Sequence, residues 1–277
     1  LVAGPIERSD RLLPQLHQSH KFDYTRVVAG LRRMLWGFLK KVIIADNLAA
    51  VVNIIFANPQ NYDGFTLIIG VLFFNIQIYC DFSAYSDIAI GSAKVMGIEL
   101  MENFRRPYFA RNIAEFWKRW HISLTTWFKD YLYIPLGGSR VSKARRNFNV
   151  IVVFLTSGLW HGANLTYIAW GAVHAVLQFF GEATKKIRGN IYDALRIPQN
   201  SKLKRVFQTC ITFILVCLAG TVFRSANLSD AFYICTHLLD KNSVYNLKQC
   251  LENLGLSSMN VLLIYLTLFA VLILFIK

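Results

Sequence analysis

The chain has 277 residues, 55% of them hydrophobic and 14% aromatic, with only 17% charged and a formal net charge of +14. A soluble globular protein carries about 25% charged residues, and here the apolar residues gather in long uncharged runs, which argues against an ordinary soluble domain. The excess of Lys and Arg lies between those runs, the distribution of cytoplasmic loops in a membrane protein, so the charge does not indicate nucleic-acid binding.

Residues 1–24 lack the layout of a signal peptide. The chain opens on Leu1 and its last apolar run stops at Lys277, so both ends look cut. Arg32, Arg33, Lys40 and Lys41 form a first basic cluster. Residues 42–56 are a weak membrane-crossing candidate, with Asp46 inside it and Lys40 and Lys41 placed to snorkel to headgroups. The short stretch 57–64 carries only Asp63. Residues 65–80 are uncharged, and Asp81, Tyr85 and Asp87 follow in YCDFSAYSDIAIG. Acids beside a membrane segment line polar tunnels or end helices in headgroup water.

The stretch 104–140 mixes aromatics with Arg and Lys. Phe116, Trp120, Leu124 and Trp127 fall at helical spacing, with Lys118, Arg119 and Lys129 off that stripe. That pattern predicts an amphipathic helix at the interface or beside a cavity. PLGGSR (135–140) lacks the lysine and spacing of a P-loop and reads as a turn after Tyr131–Ile134. Arg140, Lys143, Arg145 and Arg146 make a second basic cluster.

Residues 147–181 carry no charge over 35 positions. A crossing needs about 20 residues, so this run must turn back. Basic clusters flank both its ends, the third being Lys185, Lys186, Arg188, Arg196, Lys202, Lys204 and Arg205. By the positive-inside rule both ends face the cytoplasm, which makes the run a hairpin or re-entrant segment breaking near Gly158 and Gly162, at Trp160 and His161. Residues 206–223 and 253–276 fit one crossing each, and the 224–252 loop between them has three charges of each sign. That loop and 57–64 then face outward. Of the five cysteines none forms a C-x-x-C pair; small buried hydrophobes are the simplest reading, with a Cys235–Cys250 disulfide open to the chain if its loop meets an oxidising compartment.

The chemistry centres on two histidines. His161, in SGLWHGAN, lies mid-run, where an ionisable group is costly and marks function by default. The alternative is a neutral ring bonded to a helix carbonyl. His121, in KRWHISLTTW, is either its partner or an interfacial histidine among aromatics. A buried neutral imidazole can take a proton from a hydroxyl as that oxygen attacks an acyl carbonyl, worth about 10²–10⁴ in rate. No serine sits in a G-x-S-x-G setting. His17 and His20 lack the further ligands of a zinc site, and His174 and His237 have no obvious partners. A transporter relaying protons through the histidines and a scaffold without chemistry remain as competing readings.

Five stretches carry a resemblance: GPIERSDRLLPQL (4–16), GLRRMLWGFLKKVIIADNLA (30–49), YCDFSAYSDIAIGSAKVMGIEL (79–100), the whole of 103–140, and FLTSGLWHGANLTYIAWGAVHA (154–175). Across 4–175 the chain resembles the membrane-bound O-acyltransferase family, in its alginate O-acetyltransferase-like branch. The resemblance implies an all-α, polytopic transmembrane domain in the bacterial cytoplasmic membrane, with helices around a tunnel, and makes 1–277 one membrane-embedded acyltransferase domain truncated at both ends. It implies transfer of an acetyl group from a cytoplasmic thioester, acetyl-CoA or an acyl carrier, towards hydroxyls of an extracytoplasmic polysaccharide, with no bound cofactor or metal. An extracytoplasmic acetyltransferase partner and the lipid bilayer are the implied partners, and close relatives move D-alanine towards teichoic acids. The family's R-W-H and W-H-G positions fall on His121 and His161, which are the catalytic candidates, with His161 as base. Trp120, Trp160 and Asn164, next to those histidines, join Asp81, Tyr85 and Asp87 as candidates for substrate binding or tunnel lining.

Overall fold

A computed structural model describes residues 4–198, 201–240, 243 and 245–276. Leu1 and Lys277, and Lys241, counted in the charge balance of the 224–252 loop, lie outside the described residues. The described residues are helical, with no strand among them, as the all-α reading requires. In chain order the helices are α1 (Ser9–Leu16), α2 (Tyr24–Leu39), α3 (Asp46–Ala57), α4 (Gly64–Val95), α5 (Ile113–Trp117), α6 (Ile122–Phe128) and α7 (Lys143–Trp160). They continue as α8 (Leu165–Ala183), α9 (Lys185–Ala194), α10 (Lys202–Arg224), α11 (Leu228–His237), α12 (Leu247–Asn253) and α13 (Ser258–Ile276). The chain divides into two compact units, Leu1–Glu102 with Arg224–Lys277, and Asn103–Phe223.

The first unit is built on α4. Asp63 caps this helix by accepting the Thr66 N–H at 2.9 Å, and its 32 residues rise about 48 Å at 1.5 Å each. That exceeds a hydrocarbon core of about 30 Å, so the helix runs on past the uncharged residues 65–80. Asp81, Tyr85 and Asp87 therefore lie within the helix, not at its end. Residues 24–57 pack along it, as α2, a wide π-helical turn at Lys40–Ala45, and α3. Leu48, Val51, Val52, Ile55 and Phe56 are buried there with Leu67, Phe73 and Phe74 of α4, and the Phe56 and Phe74 rings stand 5.9 Å apart.

The snorkelling expectation fails for Lys40, which is buried in an ion pair, while Lys41 is paired with its side chain 40% exposed. Lys40 is 5% exposed, and its ammonium donates to Ser83 Oγ at 2.8 Å and to Asp87 Oδ2 at 2.6 Å. Lys41 Nζ lies 2.8 Å from Asp46 and 2.7 Å from Asp81. Asp87 and Asp81 of α4 and Asp46 of α3 supply the counter-charges within the packed unit. The 57–64 stretch and the 224–252 loop are joined by a hydrogen bond from Gln60 Nε2 to Asp230 at 2.8 Å.

The second unit contains the hairpin predicted for 147–181. Its legs are α7 and α8, joined through residues 161–164. The legs touch through glycine: a Cβ on Gly158 would collide with the Tyr167 carbonyl, and one on Gly171 with the Phe154 carbonyl. The helix predicted across 104–140 does not form. The chain instead makes α5, a turn at 118–121, α6, and a π-helical turn at Lys129–Tyr133. The reason is local. Asn103 Oδ1 accepts from Ser123 N at 3.2 Å and Ser123 Oγ at 2.9 Å, and Arg105 N–H reaches the Arg119 carbonyl at 2.9 Å. Those bonds fold the chain back between the two short helices.

Among the described residues two helices are long and apolar enough to cross a membrane, Gly64–Val95 and Lys202–Arg224, and Ser258–Leu274 is a shorter apolar one. All five cysteines are free, with Cys80, Cys217 and Cys250 buried. The Cys235–Cys250 bridge does not form; Cys250 Sγ instead donates to Thr66 Oγ1 at 3.4 Å.

Candidate active site

His121 sits where the chain turns from α5 to α6. Its backbone is left-handed, φ 44° and ψ 54°, a conformation that costs a non-glycine residue about 1–3 kcal/mol and persists only where the surroundings fix it. Here they do: the Asn103 carbonyl accepts the Ile122 N–H at 2.9 Å, and the His121 carbonyl accepts the Thr125 N–H at 2.9 Å. The side chain is 9% exposed. Burial, and secondarily the neighbouring His161, push its imidazole down to about 3. It is therefore neutral across physiological pH, with one N–H to donate and one lone pair to accept.

His161 follows the last residue of α7, its N–H closing on the Gly158 carbonyl at 3.0 Å, and Gly162 beyond it takes φ +143°. The turn thus places the ring at the junction of two helices, on an exposed edge of this unit. One side of the ring meets aromatics: Phe223 at 5.0 Å, Trp170 at 5.6 Å, both edge-on, and Tyr167 at 6.1 Å. The ring is close enough to His121 for the two to interact electrostatically.

The structure gathers five of the eight candidate residues in this unit. Trp120 stacks on Phe116 at 5.5 Å and meets Phe104 edge-on at 5.1 Å. Trp160, 56% exposed, lies 5.8 Å from Trp127 and 6.0 Å from Phe128, which joins the His161 turn to α6. Asn164 caps α8, accepting the Thr166 N–H at 3.1 Å. The other three belong to the first unit. Asp87 is held by Lys40 and by Arg33, whose Nε donates to it at 2.9 Å while its terminal nitrogens pair with Glu102. Asp81 pairs with Lys41, and Tyr85 is exposed.

Sequence reasoning missed several residues that shape the site. Asn103, 1% exposed, pins the His121 turn, but a lone asparagine beside arginines gives no periodic signal. Glu115 lies between Arg111 and Arg119 at 3.0 and 2.5 Å. Partial burial raises its carboxyl, yet the Arg111 N–H and the two guanidinium groups outweigh that and hold it below the usual range. His174 does have a partner: the Trp117 indole N–H donates to its Nδ1 at 3.3 Å. His237 also has one, bonding the Tyr233 carbonyl at 2.9 Å and stacking on that ring at 4.0 Å. The PLGGSR segment is the predicted turn, its Leu136 and Gly138 carbonyls held by the Asn149 amide at 3.1 and 3.4 Å. Among the described residues no group of three or more His, Cys, Asp or Glu side chains is placed to hold a metal ion.

The site is thus two imidazoles of one unit, one buried at a pinned turn and the other on an open turn beside aromatic rings. The chain is similar to the "Probable alginate O-acetylase AlgI" of Pseudomonas aeruginosa, at 43% identity over 84% of this chain and 42% of that protein. It is 35% identical to a peptidoglycan O-acetyltransferase of Helicobacter pylori, over 88% of this chain and 45% of the relative. With a teichoic acid D-alanyltransferase of Bacillus subtilis it shares 30% identity over 80% of this chain and 58% of the relative. The chain thus spans about half the length of the curated relatives it matches. The family model for membrane-bound O-acyltransferases matches residues 1–221, and with it these likenesses establish that the chain belongs to the membrane-bound O-acyltransferase family.

Proposed function

We propose that the protein is a polytopic membrane O-acetyltransferase that passes an acetyl group from a cytoplasmic thioester to hydroxyls of an extracytoplasmic polysaccharide. The pairing of His121 and His161 in one unit, both in the family-matched region, carries this reading. His161 is the general base: its ring, on the open turn, accepts the hydroxyl proton as that oxygen bonds to the thioester carbonyl carbon. The carbon–sulfur bond then breaks, and the imidazolium returns the proton to the leaving thiolate. His121, neutral and fixed, donates its ring N–H to the carbonyl oxygen as charge gathers there, or orients the acceptor. Trp120, Trp160 and Asn164 line the passage to these rings. Asp81 and Asp87 bind cations of their own unit, which favours structural ion pairing over substrate contact.

The acetyl donor is acetyl-CoA or an acyl carrier thioester, acting as substrate, and the basic loops between the apolar runs suit either anionic donor. Two helices long enough to cross a membrane, with the shorter apolar α13, support a multi-pass arrangement in the cytoplasmic membrane. An extracytoplasmic acetyltransferase completes the modification of the polymer. Acetyl transfer is favoured over D-alanyl transfer because the O-acetylase relative is the more similar, 43% against 30% identity.

The test replaces His161 with Ala in the full-length protein and measures the acetyl content of the host's extracellular polymer by mass spectrometry. Acetylation disappears while the protein still inserts in the membrane; unchanged acetylation sinks the proposal, and transport of a substrate with no change in acylation favours a transporter.

A further inference from the structure

His174 is the most deeply buried histidine of the second unit, 2% exposed, on α8. Four rings enclose it. Trp117 at 4.9 Å and Trp170 at 5.0 Å meet it edge-on, while Phe154 at 6.0 Å and Phe116 at 6.4 Å lie nearly parallel to it. A phenylalanine would fill such a cage as well, except for one group. The Trp117 indole N–H points at His174 Nδ1, and an apolar ring there would leave that donor buried without a partner. The same bond fixes the tautomer, with the proton of a neutral ring on Nε2.

The cage reaches both proposed catalytic histidines. Trp117 is the last residue of α5, four positions before His121 and one turn from the fold-back that sets its left-handed backbone. Trp170, one helical turn before His174, also meets His161 edge-on at 5.6 Å. Trp170 also touches Phe223 at 5.3 Å, and Phe223 is the second wall of the His161 ring. One arm of the cage therefore ends at the His121 turn and the other at the His161 ring. The hairpin alone fixes only α8 against α7; the Trp117–His174 hydrogen bond is a directional polar link from α5 to α8.

We propose that His174 is a positioning residue that sets the His121–His161 geometry by holding Trp117 and Trp170 in place. It is not itself a catalytic residue, because it is 2% exposed inside its aromatic cage and acts through the two tryptophans. The inference rests on the proposed acyl transfer, and it predicts that turnover depends on an acceptor at the Nδ1 position and not on an ionisable group.

The experiment expresses variants of the full-length protein in a host lacking its own copy and measures polymer acetylation per molecule of membrane-inserted protein. His174→Leu removes the acceptor and lowers the rate about 10–100-fold, the scale on which small misplacements of reacting groups act. His174→Asn, whose side-chain oxygen replaces Nδ1, stays within about threefold of wild type, since that hydrogen bond survives. Trp117→Phe removes the donor and slows the reaction as His174→Leu does. The Trp117→Phe/His174→Leu pair is no slower than the worse single variant, because both changes break one link. Wild-type rates in His174→Leu, an Asn variant as slow as the Leu variant, or single effects that multiply in the pair overturn the proposal. If His174→Leu fails to accumulate, Trp117→Phe decides, and a wild-type rate in it is equally fatal. His161→Ala in the same host separates the two ideas: if it acetylates normally, acyl transfer by this site fails, whereas a dead His161→Ala beside a fully active His174→Leu refutes only the positioning role.

Discussion

Replacing Asp87 with Asn tests whether the charges of the first unit are structural. Lys40 and Asp87 have side chains 6% and 17% exposed and stand 2.6 Å apart. With Asn at position 87 the Lys40 ammonium loses its counter-ion and keeps the Ser83 hydroxyl at 2.8 Å and at most a neutral amide oxygen, while Arg33 keeps both bonds to Glu102. Removing one partner of a buried pair costs about 3–5 kcal/mol, because the charge left behind has neither water nor counter-ion. Lys40→Met is milder, about 1–3 kcal/mol on the scale of one charged hydrogen bond, since Asp87 retains Arg33 at 2.9 Å. The double variant removes both buried charges and is less destabilised than Asp87→Asn alone. Unfolding of the full-length protein by sodium dodecyl sulfate in mixed micelles, followed by helical circular dichroism, ranks the three. An Asp87→Asn variant within about 0.5 kcal/mol of wild type, the range of surface changes, refutes the reasoning, as does Lys40→Met costing more. Lost acetylation at full stability would instead put Asp87 at the substrate.

The second unit supports three further expectations. Gly171→Ala drives a methyl into the Phe154 carbonyl and forces the hairpin apart; it costs about 1–3 kcal/mol by overpacking and displaces His161, lowering acetylation. Gly181→Ala, with nothing within 4 Å of the new methyl, leaves activity intact and stabilises α8 by up to about 1 kcal/mol, which the same unfolding assay reads. Asn103→Ala breaks the bonds to Ser123 and frees the His121 turn, cutting acetylation, while Asn103→Asp keeps the acceptor and most of the activity. His121, near 6.5 unfolded and about 3 folded, binds more protons in the unfolded chain between those values. Its contribution to stability is therefore complete above about pH 6.5 and declines as pH falls towards 3, by at most about 1.4 kcal/mol per unit. His121→Asn removes that slope, measured as the difference between the two proteins' stability–pH curves.

The hairpin was legible because charge exclusion over 35 residues and basic clusters at both ends leave a chain in lipid one topology. His161 stood out as a candidate because an ionisable residue amid such a run is costly, whereas His121 rested on the family resemblance. The 104–140 stretch was misread because apolar spacing records which residues are buried, not whether the backbone between them is continuous. Phe116 and Leu124 are indeed buried, 4% and 3% exposed, but they sit on different helices, because Asn103 pins Ser123 from a distance in sequence that periodicity does not sense. The same blindness hid Asp87. Placed by sequence after an apolar run, it was a candidate tunnel acid; its cations come from α2 and the π-helical turn, more than 40 residues earlier.

The two imidazoles differ in the freedom the backbone leaves them, and that difference supports the roles proposed for them. His121 is buried, left-handed and held by backbone hydrogen bonds on both flanks. Such a group suits an electrostatic task, because a dipole fixed before reaction needs no reorganisation as charge develops. His161 sits on a four-residue turn with an exposed edge and aromatic walls on its other side. A base must meet a bulky acceptor, take its proton and give it up again, which needs access on one face and restraint on the other. Exchanging the two roles would put the proton-accepting ring where a polysaccharide hydroxyl cannot reach it and leave the fixed dipole on the part of the unit least able to hold it still.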